Sequence, residues 1–210
     1  MRIHFVLLGE GRGDEGLVPH VERLLISVGA SEVTGTAPDF ASIPGHTGHT
    51  VAEKLRTATA LEPSANLFVV HRDADDRDPS PRFEEISAAI AAVQLTTIAV
   101  ALVPVQETEA WLLVDEIAIR TVAGNPNGRV PLGLPTPRRV ENVASPKEVL
   151  EKTLLIASGL TGRRAAKFRN RINAKRRQLL EQLPVGGPLE EVPSWMRFRR
   201  DLADALERLG

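Results

Sequence analysis

The order of apolar runs and helical periodicities along this chain specifies an α/β protein, with a mostly parallel central sheet flanked by helices and an α-helical C-terminal extension. Three observations specify it. Apolar runs at 3–8, 67–71 and 97–105 have the length and composition of buried parallel strands. A stretch of helical spacing follows each run, so strand and helix alternate to about residue 122. Beyond Gly124 the strand-like runs cease and helical segments dominate.

Taken in order, Ile3–Leu8 is a strand ended by Gly9. Leu17, Val18, Val21, Leu24, Leu25 and Val28 recur at helical spacing within 15–28, with Pro19 near the first turn, where proline is tolerated. Residues 34–48, rich in Gly, Pro, Thr and Ser, read as loop. A helix over 50–61 is stopped by Pro63, and Leu67–His71 is the second strand. A charged loop over 76–81 leads to a helix over 83–93 and a strand over 97–105. A helix over 107–122 draws its apolar surface from Trp111, Leu112 and 114–119. Asn125–Gly128, Pro131, Pro135 and Pro137 mark a long irregular connection. Pro146 opens a helix that Ser145 is placed to cap, ending near Ala157. A second helix covers 162–183, and Ser194 is placed to cap a last one reaching Leu209. The expected division is therefore 1–122 against 123–210.

With 210 residues, 42% hydrophobic and 25% charged, the chain suits a globular fold whose core needs no staples. The absence of cysteine excludes disulfides and thiolate metal sites. The apolar start is too short for a signal sequence and no stretch approaches a membrane span, so a cytoplasmic protein is expected.

Three acidic clusters stand where strands should end: Gly9-Glu10-Gly11, Asp73-Ala74-Asp75 and Glu107-Thr108-Glu109. Carboxylates gathered there repel one another unless something positive lies between them. One or two hard divalent cations, which take oxygen ligands, are the economical candidate. In the first cluster, the Walker pattern fails because no Gly-Lys-Ser/Thr follows. Glu10, Asp14 and Glu15 would also oppose a pyrophosphate on the helix N-terminus. The glycines better serve a turn presenting Glu10 to a cation, with Asp14 and Glu15 as helix-start acids. In an extended segment Asp73 and Asp75 point the same way. In a helix Glu107 and Glu109 diverge by about 200°, so only one would face the site, with Glu107 preferred. His46 and His49 lack the further ligands of a zinc site. His71 alternates away from the Asp pair and reads as a structural hydrogen-bonder, with proton transfer left open.

The formal net charge of −1 hides an asymmetry. Eight basic residues lie within 163–177 with no acid before Glu181, and Arg197, Arg199 and Arg200 follow. Such density suits a polyanion, contacted through phosphates because few aromatics interleave. Arg164, Lys167, Arg171, Arg176 and Arg200, together with Arg72 beside the Asp pair, are the candidate nucleic-acid contacts.

Glu after the first strand, Asp-x-Asp after a middle strand and a later Glu resemble the TOPRIM domain of topoisomerases, primases and OLD-type nucleases. The closer similarity is to small stand-alone TOPRIM-like proteins. It is carried by Gly9-Glu10-Gly11, by Asp73-Ala74-Asp75 with Pro79, and by Glu107-Thr108-Glu109-Ala110-Trp111-Leu112. Pro146-Lys147 and Ser194-Trp195-Met196-Arg197-Phe198 resemble the family's tail less specifically. Family members commonly show a Thr-Glu pair where this chain has Gly13-Asp14-Glu15. The resemblance implies a TOPRIM-like catalytic domain over 1–122 and Mg²⁺- or Mn²⁺-dependent phosphodiester hydrolysis of nucleic acid, DNA ahead of RNA. It also implies pairing with a separately encoded ATPase in defence against mobile DNA. Glu10, Asp73, Asp75 and Glu107 or Glu109 would then hold the ions for in-line attack. Lys147 or Arg200 is the candidate for neutralising the pentavalent phosphate. Two rival readings are a non-catalytic nucleic-acid-binding or ATPase-regulating subunit, and a nucleotide-dependent transferase using Asp-x-Asp. Haloacid-type phosphatases carry Asp-x-Asp on their first strand, whereas here it follows a later one.

Overall fold

The computed structural model describes residues 1–43, 50–184 and 186–210, so His46 and His49 lie outside the described residues. It is an α/β protein with a four-stranded, all-parallel sheet flanked by helices and a C-terminal helix, a layout consistent with Rossmann-like and TOPRIM-like folds alike. The chain forms two compact units.

The first unit comprises Met1–Ala74, Asp78–Val103 and Met196–Gly210. Its strands are β1 (Arg2–Leu8), β2 (Glu32–Thr36), β3 (Leu67–His71) and β4 (Ile98–Leu102), in the order β2-β1-β3-β4. Leu8 pairs with Val70 and Val70 with Ala101, so the carboxyl ends of β1, β3 and β4 lie level. The two central strands are buried on both faces, as their unbroken apolar runs require. Val6, Leu8, Phe68 and Val70 pack with Val51, Leu55 and Ala58 of α2 (Val51–Leu61) and Ile86 and Ala89 of α3 (Ser80–Val93). Helix α1 (Val18–Ser27) buries Val21, Leu24 and Leu25. Thr50 caps α2 in a reciprocal box with Glu53.

Strand β2 corrects the loop expected over 34–48. A Cβ on Gly35 would lie 2.3 Å from the Phe5 ring and 2.8 Å from Val18, so glycine here serves close packing of an edge strand. The helix expected over 15–28 opens with a tighter 3₁₀ segment at Arg12–Leu17.

The second unit comprises Asp75–Arg77 and Pro104–Trp195. It holds α4 (Glu116–Ala123), α5 (Pro146–Ser158), α6 (Gly162–Arg169) and α7 (Ile172–Gln182). The helix expected over 107–122 is instead a 3₁₀ segment, Thr108–Leu113, followed by α4 with Asp115 as its cap. The single helix expected over 162–183 is likewise broken between Arg169 and Ile172. Trp111 meets Trp195 edge to face at 5.2 Å and donates to Ser194 Oγ at 2.9 Å. Ser194 is thus inside the first turn of α8 (Pro193–Leu209) and not its cap, while Ser145 caps α5 by position without a side-chain bond. The contact boundary falls after Val103, ahead of the compositional one at 122, and α8 from Met196 onward belongs to the sheet unit. No helix among the described residues is long and apolar enough to cross a membrane.

Candidate functional site

The strand order creates a switch point. The chain lays β2 on one side of β1, then β3 on the other, which opens a crevice beyond the carboxyl ends of β1 and β3. Ligands of open α/β sheets bind in such crevices. The residues that follow these two strands are Gly9-Glu10-Gly11 and Arg72-Asp73.

The glycine turn after β1 is built around Asp14. A Cβ on Gly9 would lie 2.7 Å from the Asp14 Cβ, so only glycine admits this close return. The Asp14 carboxylate accepts from the N–H of Glu10 at 2.6 Å and of Gly11 at 3.0 Å. The same oxygen, Oδ2, lies 3.3 Å from Nδ1 of His71, the last residue of β3. Nε2 of the same ring lies 3.5 Å from Asp73. One buried imidazole therefore spans two carboxylates, and the expectation that His71 points away from Asp73 is corrected. Alternation ends with β3 at His71, so Asp73 is free to turn back.

Burial by itself disfavours the imidazolium, yet the hydrogen bonds and charges of Asp14 and Asp73 outweigh it and raise the His71 pKa to about 10. Burial likewise pushes the Asp14 carboxyl up, but the His71 bond and charge and the two backbone N–H groups hold it below its ordinary value. The two carboxylates thus favour the charged form of His71, which donates toward both.

Glu10 meets Arg72 at 3.2 Å, and Arg72 also lies 3.6 Å from Glu85. Arg82 donates to the Asp73 carbonyl at 3.0 Å and pairs with Glu85 at 2.9 Å. Arg72 is therefore held within the acidic network. Lys54, only 7% exposed, donates to the Gly9 carbonyl at 2.7 Å. Burial, then Arg72, lower its pKa, opposed by Glu10, Asp14 and Glu85. A cavity of about 180 Å³ opens here, lined by Glu10, Arg12, Asp14, Asp39, Phe40 and Lys54 among others.

The remaining candidates, Arg200 apart, belong to the second unit. Asp75 is not in an extended segment: its φ is +56°, its N–H donates to Gln106 at 2.8 Å, and Gln106 is itself at φ +64°. The same-side argument for Asp73 and Asp75 therefore fails. Glu107 is extended and accepts from the backbone N–H of Lys147 at 3.2 Å, at the start of α5. Asp75, Glu107 and Lys147 line a cavity of about 240 Å³. Glu109, 7% exposed, is turned inward to an ion pair with Arg176. Arg176, whose side chain stays 22% exposed, thereby neutralises the charge of Glu109. Arg164, Lys167 and Arg171 are exposed, and Arg200 lies 3.5 Å from Asp201 on the surface of α8.

Sequence reasoning read Asp14 as a helix-start acid and passed over Lys54 and Glu85. Asp14 carried a usable signal, an acid returning to a glycine turn in capping-box register. Lys54 and Glu85 carried none, because each lies in an ordinary amphipathic helix. No protein-family model matches this chain, and no curated protein or solved structure matches it significantly.

Proposed function

We propose that this protein is a cytoplasmic, Mg²⁺- or Mn²⁺-dependent nuclease that hydrolyses phosphodiester bonds of nucleic acid, DNA ahead of RNA. The observation that carries this reading is the gathering of Glu10, Asp14 and Asp73 at the switch point between β1 and β3. The donors are all hard oxygens, which suits these ions by chemistry. Glu10 and Asp73 would hold the ion, since their side chains stay 33% and 21% exposed. Among the described residues no three ligating side chains already surround one point, and Arg72 holds Glu10, so an ion competes with Arg72 for that carboxylate. When bound, a divalent ion supplies Lewis-acid polarisation and charge stabilisation at a phosphoryl oxygen. The chain's own groups do the positioning: His71 fixes Asp14 and Asp73, and Lys54 fixes the Gly9 turn. Asp75 and Glu107 are the candidates for a further ligand set in the second unit, and Lys147, which lines the same cavity, is the candidate for neutralising the phosphate. A separately encoded ATPase partner, in defence against mobile DNA, enters through the TOPRIM resemblance alone.

The test incubates plasmid DNA, single-stranded DNA and RNA with the protein in Mg²⁺, Mn²⁺ or EDTA, beside Glu10→Gln and Asp73→Asn. Metal-dependent cutting that falls about 100-fold or more in both variants is the expected result. Equal cutting by parent and variants would sink the assignment. A non-catalytic binding subunit is favoured by one observation, the internal neutralisation of the acids by Arg72 and His71. It predicts nucleic-acid binding with no cutting under any metal.

A further inference from the structure

Helix α6 is assembled against its own local electrostatics. Arg163 and Arg164 stand in its first turn, where the helix dipole favours acids, and that turn contains none. Thr161 at the cap position makes no side-chain cap bond. Arg163 and Lys167 are like charges at i,i+4, and Arg164 and Lys167 at i,i+3, each costing about 0.2–0.5 kcal/mol. Arg169 and Arg171 continue the run, and Arg177 on α7 extends it. All six side chains are exposed, and among the described residues none joins an ion pair. Most other arginines behave differently: Arg2, Arg12, Arg72, Arg120, Arg138 and Arg176 each meet an acid. A local rule broken without internal compensation marks a surface selected for something outside the chain.

We infer that α6, its junction with α7 and Arg177 form a sequence-independent docking surface for the phosphates of nucleic acid. The occupant follows from what the surface lacks. The one large apolar side chain of α6, Phe168, is turned inward at 8% exposure. The exposed large apolar residues of the protein lie elsewhere, so nothing here would enter a lipid interface. Among the described residues no exposed large aromatic offers a base-stacking platform, which leaves phosphate contact without base readout. The inference shares the nucleic-acid substrate class of the proposed nuclease but needs none of its chemistry.

The test titrates the full chain in EDTA against a labelled random-sequence DNA duplex over a range of salt. Engagement of all six cations predicts a slope of log K against log salt of about −5. The triple variant Arg163→Gln/Lys167→Gln/Arg171→Gln should lower it to about −3 and weaken binding at least ~10-fold at intermediate salt. The complementary triple Arg164→Gln/Arg169→Gln/Arg177→Gln should do the same, so neither result hangs on the folding of one variant. Arg138→Gln, which removes a cation already paired with Glu191, should leave the slope unchanged. A parent slope shallower than about −2, unchanged slopes in both triples, or binding to anionic vesicles in place of the duplex would each overturn the inference. Glu10→Gln should bind as the parent does. Lost binding with intact cutting therefore removes this surface alone, and lost cutting with intact binding removes the nuclease alone.

Discussion

At the switch point of the first unit, Glu10, Asp14 and Asp73 each meet a cation within 3.5 Å, while among the described residues no acid pairs with the successive cations on α6 of the second unit. The difference separates two uses of charge. Paired and half-buried, the first set holds the turn after β1 against the end of β3, so its energetics are governed by protonation. Unpaired and exposed, the second contributes nothing to cohesion, so its energetics are governed by ionic strength and by what binds it.

The sharpest way to break that contrast is His71. Replacing it by Gln leaves Asp14 and Asp73 without their shared cation and should cost about 3–5 kcal/mol near neutral pH. Its folded pKa of about 10 lies above the unfolded value, about 6.5. The stabilisation is therefore complete below about pH 6.5 and lost as pH rises through about 10. Urea denaturation of parent and His71→Gln should show a gap that closes over that window, and a pH-independent gap would refute the bridging role. Asp14, held low, works in the opposite direction: its contribution is present above the unfolded value of about 3.9 and disappears as pH falls through the folded one.

Glu109→Ala should cost about 1–2 kcal/mol by removing the acid that Arg176 meets, with no effect on Mn²⁺ affinity. Weakened Mn²⁺ binding in a folded Glu109→Ala protein would return Glu109 to the ligand set. A smaller effect is expected at Arg72. Arg72→Gln frees Glu10 from its competitor and should tighten Mn²⁺ binding about tenfold by calorimetry, whereas looser binding would show that Arg72 supports the ion site. The smallest belongs to α6. Arg163→Gln/Lys167→Gln relieves like-charge repulsion and should raise stability by about 0.5 kcal/mol at low salt, with the gain screened away at high salt. Destabilisation at every salt would mean that these side chains pack.

Much of the scaffold was legible because it is written locally. Unbroken apolar runs marked β1 and β3, and Thr50 with Glu53 announced the start of α2. Glu10 and Asp73 were legible as strand-end acids, whereas Glu107 is extended ahead of the 3₁₀ segment and not within the helix that the expected divergence from Glu109 assumed. Other features depend on neighbours remote in sequence. Strand β2 exists because Gly35 fits beneath Phe5, a fit no periodicity announces. Asp73 and Asp75 part company because Asp75 exchanges backbone bonds with the segment around Gln106.

The sequence by itself determined the alternation of strands and helices, the acids at the strand ends and the density of positive charge over 163–177, since each is a property of nearby residues. Only the tertiary structure decided which charges are compensated. Arg72 meets Glu10, His71 spans Asp14 and Asp73, and Arg176 meets Glu109, while the cations of α6 join no ion pair among the described residues. Ion pairing acts through space between residues far apart in the chain, and its strength depends on burial, which no local pattern encodes.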